Sequence, residues 1–298
     1  MRQMMQNHTG ILRRSCSRAG FHMVILCWLI SAAVFLCGCC DDAPPPAAPR
    51  LVVEGHIDSD GYPDVLLNMS MVPSDSEGSV SESMIRWGVV TLSDGEREVI
   101  LTGGPDNSYF PPYHYYTFDM KGEPGRTYTL RARYKDLSVI STVVMPPPTA
   151  IDRLCVAPVA GNDTLRHLTV KFRAPDDCPA YYHLTARVHS NDGRHYPCML
   201  GAHEVVTPGA EVSLPVYRGH GSAVTGKYDA DMPAGSDVTV TLARVSREVF
   251  LFWRAYDNAS LVNGSIFVGA PGSLPSNVAG GYGVWSAQGV CTRTVKIE

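Results

Sequence analysis

Two stretches of alternation decide what this chain can fold into. From Arg126 to Tyr134, Tyr128, Leu130, Ala132 and Tyr134 occupy every second position. From Leu137 to Met145, Ser138, Ile140, Thr142 and Val144 alternate against Val139 and Val143. A period of two sends neighbouring side chains to opposite faces of a strand, whereas a helix needs a period of 3.6. The turn Gly122-Glu123-Pro124-Gly125 precedes the pair. Two such strands expose unpaired edges and bury only one face, so they need further strands around them.

The chain supplies those strands. Leu51–Ile57 and Val65–Met71 flank the turn Asp58-Ser59-Asp60-Gly61-Tyr62-Pro63, and Ile85–Leu92 and Glu98–Leu101 flank Ser93-Asp94-Gly95-Glu96. Asp-Gly and Pro-Gly pairs are hairpin and turn chemistry. Seven short strands up to Met145 suggest an immunoglobulin-like sandwich. Pro146-Pro147-Pro148 then breaks the pattern, so residues 50–145 are expected as one β-domain and 146–150 as a linker. Residues 151–298 read as a second immunoglobulin-like β-domain. Its expected strands are Ile151–Val156, Leu168–Arg173, Tyr181–His189, His195–Leu200, Val238–Val245, Val278–Ser286 and Val290–Ile297. One helix is expected over about 246–262: Ser246 is an N-cap residue, and Val249, Phe252, Trp253 and Tyr256 recur at helical spacing. The fold class is therefore all-β with one helix.

The N-terminus is a different kind of sequence. Arg13, Arg14 and Arg18 precede the apolar run Met23–Leu36, which ends at Leu36-Cys37-Gly38-Cys39. At about 14 residues the run falls short of the ~20 that cross a bilayer as a helix. Basic segment, short apolar core and small residue before a cut make a secretory signal over residues 1–38. A cysteine directly after the cut resembles a bacterial lipobox, with Cys39 as the acylated first mature residue. Residues 39–49 are a proline-rich tether, Pro44-Pro45-Pro46 favouring extended polyproline II. The alternative is an uncleaved anchor or a plain signal cut elsewhere.

The leader holds four of the 25 basic residues and no acidic ones, so the remainder has 21 basic against 29 acidic residues, a net charge of −8. That balance argues against a nucleic-acid partner and against adhesion to anionic lipid. Of nine cysteines, four lie in the body: Cys155, Cys178, Cys198 and Cys291. An even number in an exported chain suggests disulfides, with three connectivities open.

Chemistry-bearing motifs are sparse. The sequence lacks G-x-S-x-G, H-E-x-x-H, a Walker A motif and a Rossmann glycine run. Asp58, Asp60 and Asp64 echo a calcium loop without its distal glutamate, so a turn is the better reading. His189, Asp192, His195 and Cys198 surround the turn Asn191-Asp192-Gly193, but no C-x-x-C or other zinc spacing joins them. No metal, cofactor or enzymatic activity is expected. Two stretches are candidate ligand surfaces. In the first, Ser108–Asp119, the foremost residues are Tyr109, Tyr113 and Tyr115. The second is Asn277–Trp285, with Tyr282 and Trp285. Aromatic rings offer flat apolar faces with a polar handle, useful for sugars, peptides or a partner protein. The competing reading is core packing, with alternate residues inward. Asp163-Thr164-Leu165 resembles a short bacterial O-glycosylation acceptor, making Thr164 a candidate modified residue.

Several pieces match a known family in order and spacing. They are Leu51-Val52-Val53-Glu54-Gly55 soon after the lipobox, Gly122-Glu123-Pro124-Gly125-Arg126-Thr127-Tyr128, the Met145–Pro148 junction with Ile151-Asp152, the Phe252-Trp253 helix, and Pro275-Ser276-Asn277-Val278-Ala279-Gly280-Gly281-Tyr282-Gly283-Val284-Trp285. Together they resemble the Bacteroidota outer-membrane lipoproteins catalogued as domain of unknown function 4249. The four body cysteines are not part of that pattern. The resemblance implies an outer-membrane lipoprotein, often encoded beside SusC-like TonB-dependent receptors, and no activity. Asp41 and Asp42 resemble the acidic signal that sends such lipoproteins to the cell surface. The expectation is a non-catalytic, lipid-anchored binding module that assists a TonB-dependent receptor in nutrient capture. A structural or adhesive surface lipoprotein is the second reading, and a hydrolase with a dispersed site the third.

Overall fold

The computed structural model describes residues 48–70, 83–109, 111–189, 200–218, 230–263 and 274–298. The signal, Cys39 and most of the tether lie outside them. The strands before the triple proline are β1 (Leu51–Asp58), β2 (Pro63–Met69), β3 (Val89–Ser93), β4 (Glu98–Ile100), β5 (Thr102–Gly104), β6 (His114–Tyr116), β7 (Thr127–Tyr134) and β8 (Leu137–Val144). Those after it are β9 (Ile151–Val159), β10 (Asn162–Arg173), β11 (Ala180–Val188), β12 (Ala202–Val205), β13 (Glu211–Val216), β14 (Met232–Pro233), β15 (Asp237–Val245) and β16 (Tyr282–Lys296), with helix α1 at Arg247–Asn263. The fold is all-β with one helix among the described residues, and the alternation around residues 126–145 is the β7–β8 hairpin.

One large sheet organises the molecule, in the order β12-β11-β15-β16-β1-β2-β6-β5. Two four-stranded sheets pack against its two halves. The sheet β4-β3-β7-β8 covers one half and encloses Val53, Ile57, Leu67, Leu92, Leu130 and Trp285. The sheet of β9, β10, β13 and β14 covers the other and encloses Phe172, Tyr182, Leu184, Val240 and Leu242. The result is two β-sandwiches on a common sheet.

The join is β16. Its first part, Tyr282–Gln288, runs parallel to β1, and its second, Gly289–Lys296, runs antiparallel to β15. The sequence suggests two closing strands broken near Gly289, but the structure has one strand of 15 residues. Gly289 does not break it. The linker crosses there, and a Cβ on Gly289 would collide with the Pro146 carbonyl. Gly283 is the other obligatory glycine, with φ +108° and its missing Cβ directed at the Val53 carbonyl. Val278, Trp285 and Ala287 thus join the first core. The division at residues 146–150 separates the strand sets in sequence, while Ala48–Glu298 is one compact unit in space.

The helix lies on the face of the large sheet opposite the second core, over β11, β12 and β16. Val249, Phe250 and Phe252 pack with Ala243, Val245 and Val284. The Ser246 hydroxyl accepts from the Val249 N–H at 3.4 Å, the expected N-cap. Among the described residues no helix is long and apolar enough to cross a membrane.

Candidate ligand face

β6 sorts the first aromatic stretch by parity. Tyr115 points inward and is 2% exposed. Its hydroxyl donates to the Ile85 carbonyl at 2.8 Å and accepts the Gly88 N–H at 2.9 Å. Burial pushes its phenol pKa up. Tyr113 also turns inward, meeting Tyr115 edge to face at 5.7 Å, and donates to the Arg86 carbonyl at 3.1 Å. These two residues tie the 85–88 segment to the core. Their burial removes Tyr115 from any ligand surface and leaves Tyr113 mainly structural.

The alternate residues point outward. His114, Tyr116 and Phe118 stand along the outer face of the large sheet, continued by Tyr109 at one end and Tyr62 at the other. The five rings form a ladder. Centroid separations run 5.0 Å (Tyr109–His114), 4.8 Å (His114–Tyr116), 5.4 Å (Tyr116–Phe118) and 5.1 Å (Phe118–Tyr62). Phe118 is 69% and Tyr62 40% exposed, large values for apolar rings. Lys121 stands over the Tyr62 ring at 5.3 Å.

One carboxylate fixes the inner end of this ladder. Asp64 of β2 accepts from the Tyr109 hydroxyl at 2.6 Å and pairs with His114 Nδ1 at 3.0 Å. Burial, then the bond to Asp64 and its charge, raise the Tyr109 phenol far above its ordinary range. Tyr109 therefore stays a neutral donor. Asp58, in contrast, accepts from Gln288 Nε2 at 2.6 Å, and Asp60 sits in the turn with φ 60°. The acids that echo a calcium loop thus serve different local contacts. Among the described residues no group of three or more His, Cys, Asp or Glu side chains converges as a metal site would require.

Next to the ladder, β1 directs Glu54 and His56 to the same outer face. Glu54 lies beside Leu66 of β2 and Val284 of β16, and His56 beside Asp64 and Ser286. The Glu54 side chain is exposed, yet the protein around it strips enough water to raise its carboxyl above the usual range; His56 opposes the rise and Asp64 adds to it. The helix foot closes this side. Trp253 stacks on His183 at 4.3 Å and 8°. Burial, then the neighbouring His56 and His203, lower His183 to a pKa of about 3, so its imidazole is neutral. Burial, then the charges of Glu54 and Asp257, push the Tyr256 phenol up to about 12. Asp257 is buried and its carboxyl raised, although it accepts the N–H groups of Leu200 at 2.9 Å and Ala202 at 3.3 Å. It ties the helix to the start of β12.

The second aromatic stretch is mostly structural. Trp285 is fully buried, its indole N–H directed at the Tyr128 carbonyl at 3.4 Å. The Asn277 side chain donates to the Trp285 carbonyl at 2.7 Å and accepts its N–H at 2.9 Å, acting as a strand partner. Trp285 is therefore corrected from ligand candidate to core residue. Tyr282 lies on the opposite face, beneath Arg50 at 5.3 Å. Among the described residues no ring contact joins it to the ladder.

The remaining candidates separate. Cys155, Cys178 and Cys291 are free thiols, and Cys198 lies outside the described residues. Cys178 donates to the Pro175 carbonyl and Cys291 accepts the Ile151 N–H, each at 3.3 Å. Among the described residues, then, the expected disulfides are not formed. His189 contacts Thr239 Oγ1 at 2.7 Å, while Asp192 and His195, like Cys198, fall outside the description. Thr164 is exposed near the β9–β10 turn, its N–H and hydroxyl both donating to Asn162 Oδ1. Sequence reasoning passed over Tyr62, His114 and Glu54. The parity of β6 marks His114, but Tyr62 sits in a turn and meets Phe118 only through the β2–β6 register.

No curated protein matches the chain. A family model described as a domain of unknown function, DUF4249, matches residues 41–294 of the 298. That match takes in both sandwiches, the shared strand and the helix, and on it the chain belongs to the DUF4249 family.

Proposed function

We propose that this chain is a non-catalytic capture module. It would be held at the outer membrane by lipid on Cys39 and work beside a TonB-dependent receptor in nutrient uptake. The observation that carries the capture role is the outward ladder Tyr62–Phe118–Tyr116–His114–Tyr109, bordered by Asp64. Phe118 and Tyr62, exposed at its outer end, contribute little to a core and present apolar faces, which together with polar groups are the mix that small-ligand sites use. The anchor rests on the sequence around Leu36-Cys37-Gly38-Cys39.

The test uses the processed lipoprotein in detergent. Glycogen, xylan, pectin and casein peptides serve as probes in affinity electrophoresis and calorimetry. The expected result is binding of at least one probe, weakened about tenfold or more in Phe118→Ala/Tyr62→Ala, which removes two stacking faces. Unchanged binding in that variant overturns the ladder as the ligand face. Cys39→Ala is expected to abolish acylation and release the protein from membranes or leave its signal uncut. Normal processing and fractionation of that variant refute the anchor.

A further inference from the structure

The first sandwich has two poles of opposite character. The chain enters the fold at Arg50, whose N–H donates to Ser70 Oγ at 2.9 Å and whose carbonyl accepts the Ser70 N–H at 2.8 Å. The same pole holds the β7–β8 turn, because Gly281 is wedged between the Leu51 carbonyl and the Val139 side chain. It also holds Arg86 and Trp87, which lead into β3 where Val89 pairs with Arg133. Four exposed cations therefore gather where the tether joins: Arg50, Arg86, Arg133 and Lys135. Among the described residues, Asp136 is the acid beside them. None of the four cations has a carboxylate partner among the described residues. Trp87 is 87% exposed, and Val89 and Ile140 beside it are 44% and 40% exposed. Tyr134 and Tyr282 lie under Lys135 and Arg50 at 5.2 and 5.3 Å.

The far pole is built the other way. Its cation Arg126 is engaged by Glu123 at 2.6 Å, Glu96 at 3.2 Å and Asp94 at 3.8 Å, and Arg97 by Asp94 at 3.4 Å. Asp60 and Asp119 add further acids there. In a chain of net charge −8 outside its leader, cations without a carboxylate partner among the described residues at one pole are a local arrangement, not a product of composition.

We infer that the tether pole is a peripheral membrane-binding surface, and that its occupant is the headgroup layer of an anionic phospholipid bilayer. Tryptophan with branched aliphatics inserts at the headgroup boundary, while arginine and lysine extend around it to lipid phosphates. A polypeptide partner would equally accept the apolar side. The bilayer is favoured because the cations surround the point where the lipid-bearing segment enters the fold, the point held nearest the membrane. The inference rests on the anchoring reading, and it settles which pole faces the bilayer: the acidic pole, with Tyr62 and Phe118 beside it, is then directed away from the membrane.

The test takes the processed protein with phosphatidylethanolamine vesicles, with and without phosphatidylglycerol. Acylation is read by mass and association by flotation. Trp87 is read by emission quenching from brominated lipid, with Trp87→Phe as the reference for Trp253 and Trp285. An acylated protein whose Trp87 is quenched, more strongly with phosphatidylglycerol, is the expected result. Each charge removed in the Arg86→Gln, Arg133→Gln and Lys135→Gln series is expected to weaken association of unacylated protein about fivefold. An acylated, floating protein with Trp87 unquenched overturns the inference and leaves the anchor standing. An unacylated protein that floats only with phosphatidylglycerol, and loses flotation in the charge series, upholds the pole and refutes the anchor. An unacylated protein that does not float overturns both.

Discussion

The inner and outer faces of one half of the large sheet use the same residue types for opposite ends. Inward, Tyr115 and Trp285 are sealed, and the hydroxyl of one and the indole N–H of the other each meet a backbone group. Outward, Tyr62, Tyr116 and Phe118 keep exposed faces and touch mainly each other. Neighbours in sequence, Tyr115 and Tyr116, fall on different sides. A buried aromatic is committed to the fold by its area and by the polar handle it must satisfy. An exposed one costs the fold little and is available to a ligand.

That contrast is open to direct attack. The largest effect is expected from Trp285→Ala, which empties the first core at the strand shared with the second. A loss of about 3–5 kcal/mol should appear as a much lower melting temperature. A loss below about 1 kcal/mol would mean the strand is held by its backbone pairing alone. Next comes a pH dependence on the order of a few kcal/mol from His183. Its folded pKa of about 3 lies below its ordinary value of 6.5, so the unfolded chain binds a proton that the folded chain refuses. Stability from this group is complete above pH 6.5 and is lost as pH falls toward 3. The raised carboxyls of Glu54 and Asp257 act with the opposite sign, losing stability as pH rises through their folded values. The difference in melting temperature between His183→Gln and wild type, followed against pH, isolates the histidine. A constant difference between pH 7 and 4 would refute it. Tyr115→Phe keeps the ring and deletes the hydroxyl between Ile85 and Gly88, and should cost about 1–3 kcal/mol in chemical denaturation. The smallest effect belongs to the outer face. Phe118→Ala should change stability by no more than about 0.5 kcal/mol while probe binding weakens. A destabilisation as large as that of Tyr115→Phe would turn the ladder into a structural element.

Much of the fold was legible. β7 and β8 alternate cleanly because one face meets the core and the other meets water. The helix was marked by Ser246 and by apolar residues at helical spacing. β12 to β14 were not legible: at four, six and two residues they are too short to carry a pattern, and Pro215 and Pro233 read as breaks. The parallel pairing of β1 with β16 joins residues over 200 positions apart, and nothing local specifies it. Half of the aromatic stretch was expected to be packing, and β6 made that division by parity. Net charge likewise concealed the basic pole, because a sum over the chain carries no position.

The shared strand also imposes an order in time. β1 comes first in the chain, yet its parallel neighbour is β16. Until residues 282–288 arrive, β1 keeps one edge open and the first core lacks Trp285. Contacts of such sequence separation form late and slowly. The N-terminal sandwich therefore cannot complete its core until the end of the chain is in place, and the β1 edge stays open over the whole interval between the first strand and the final one.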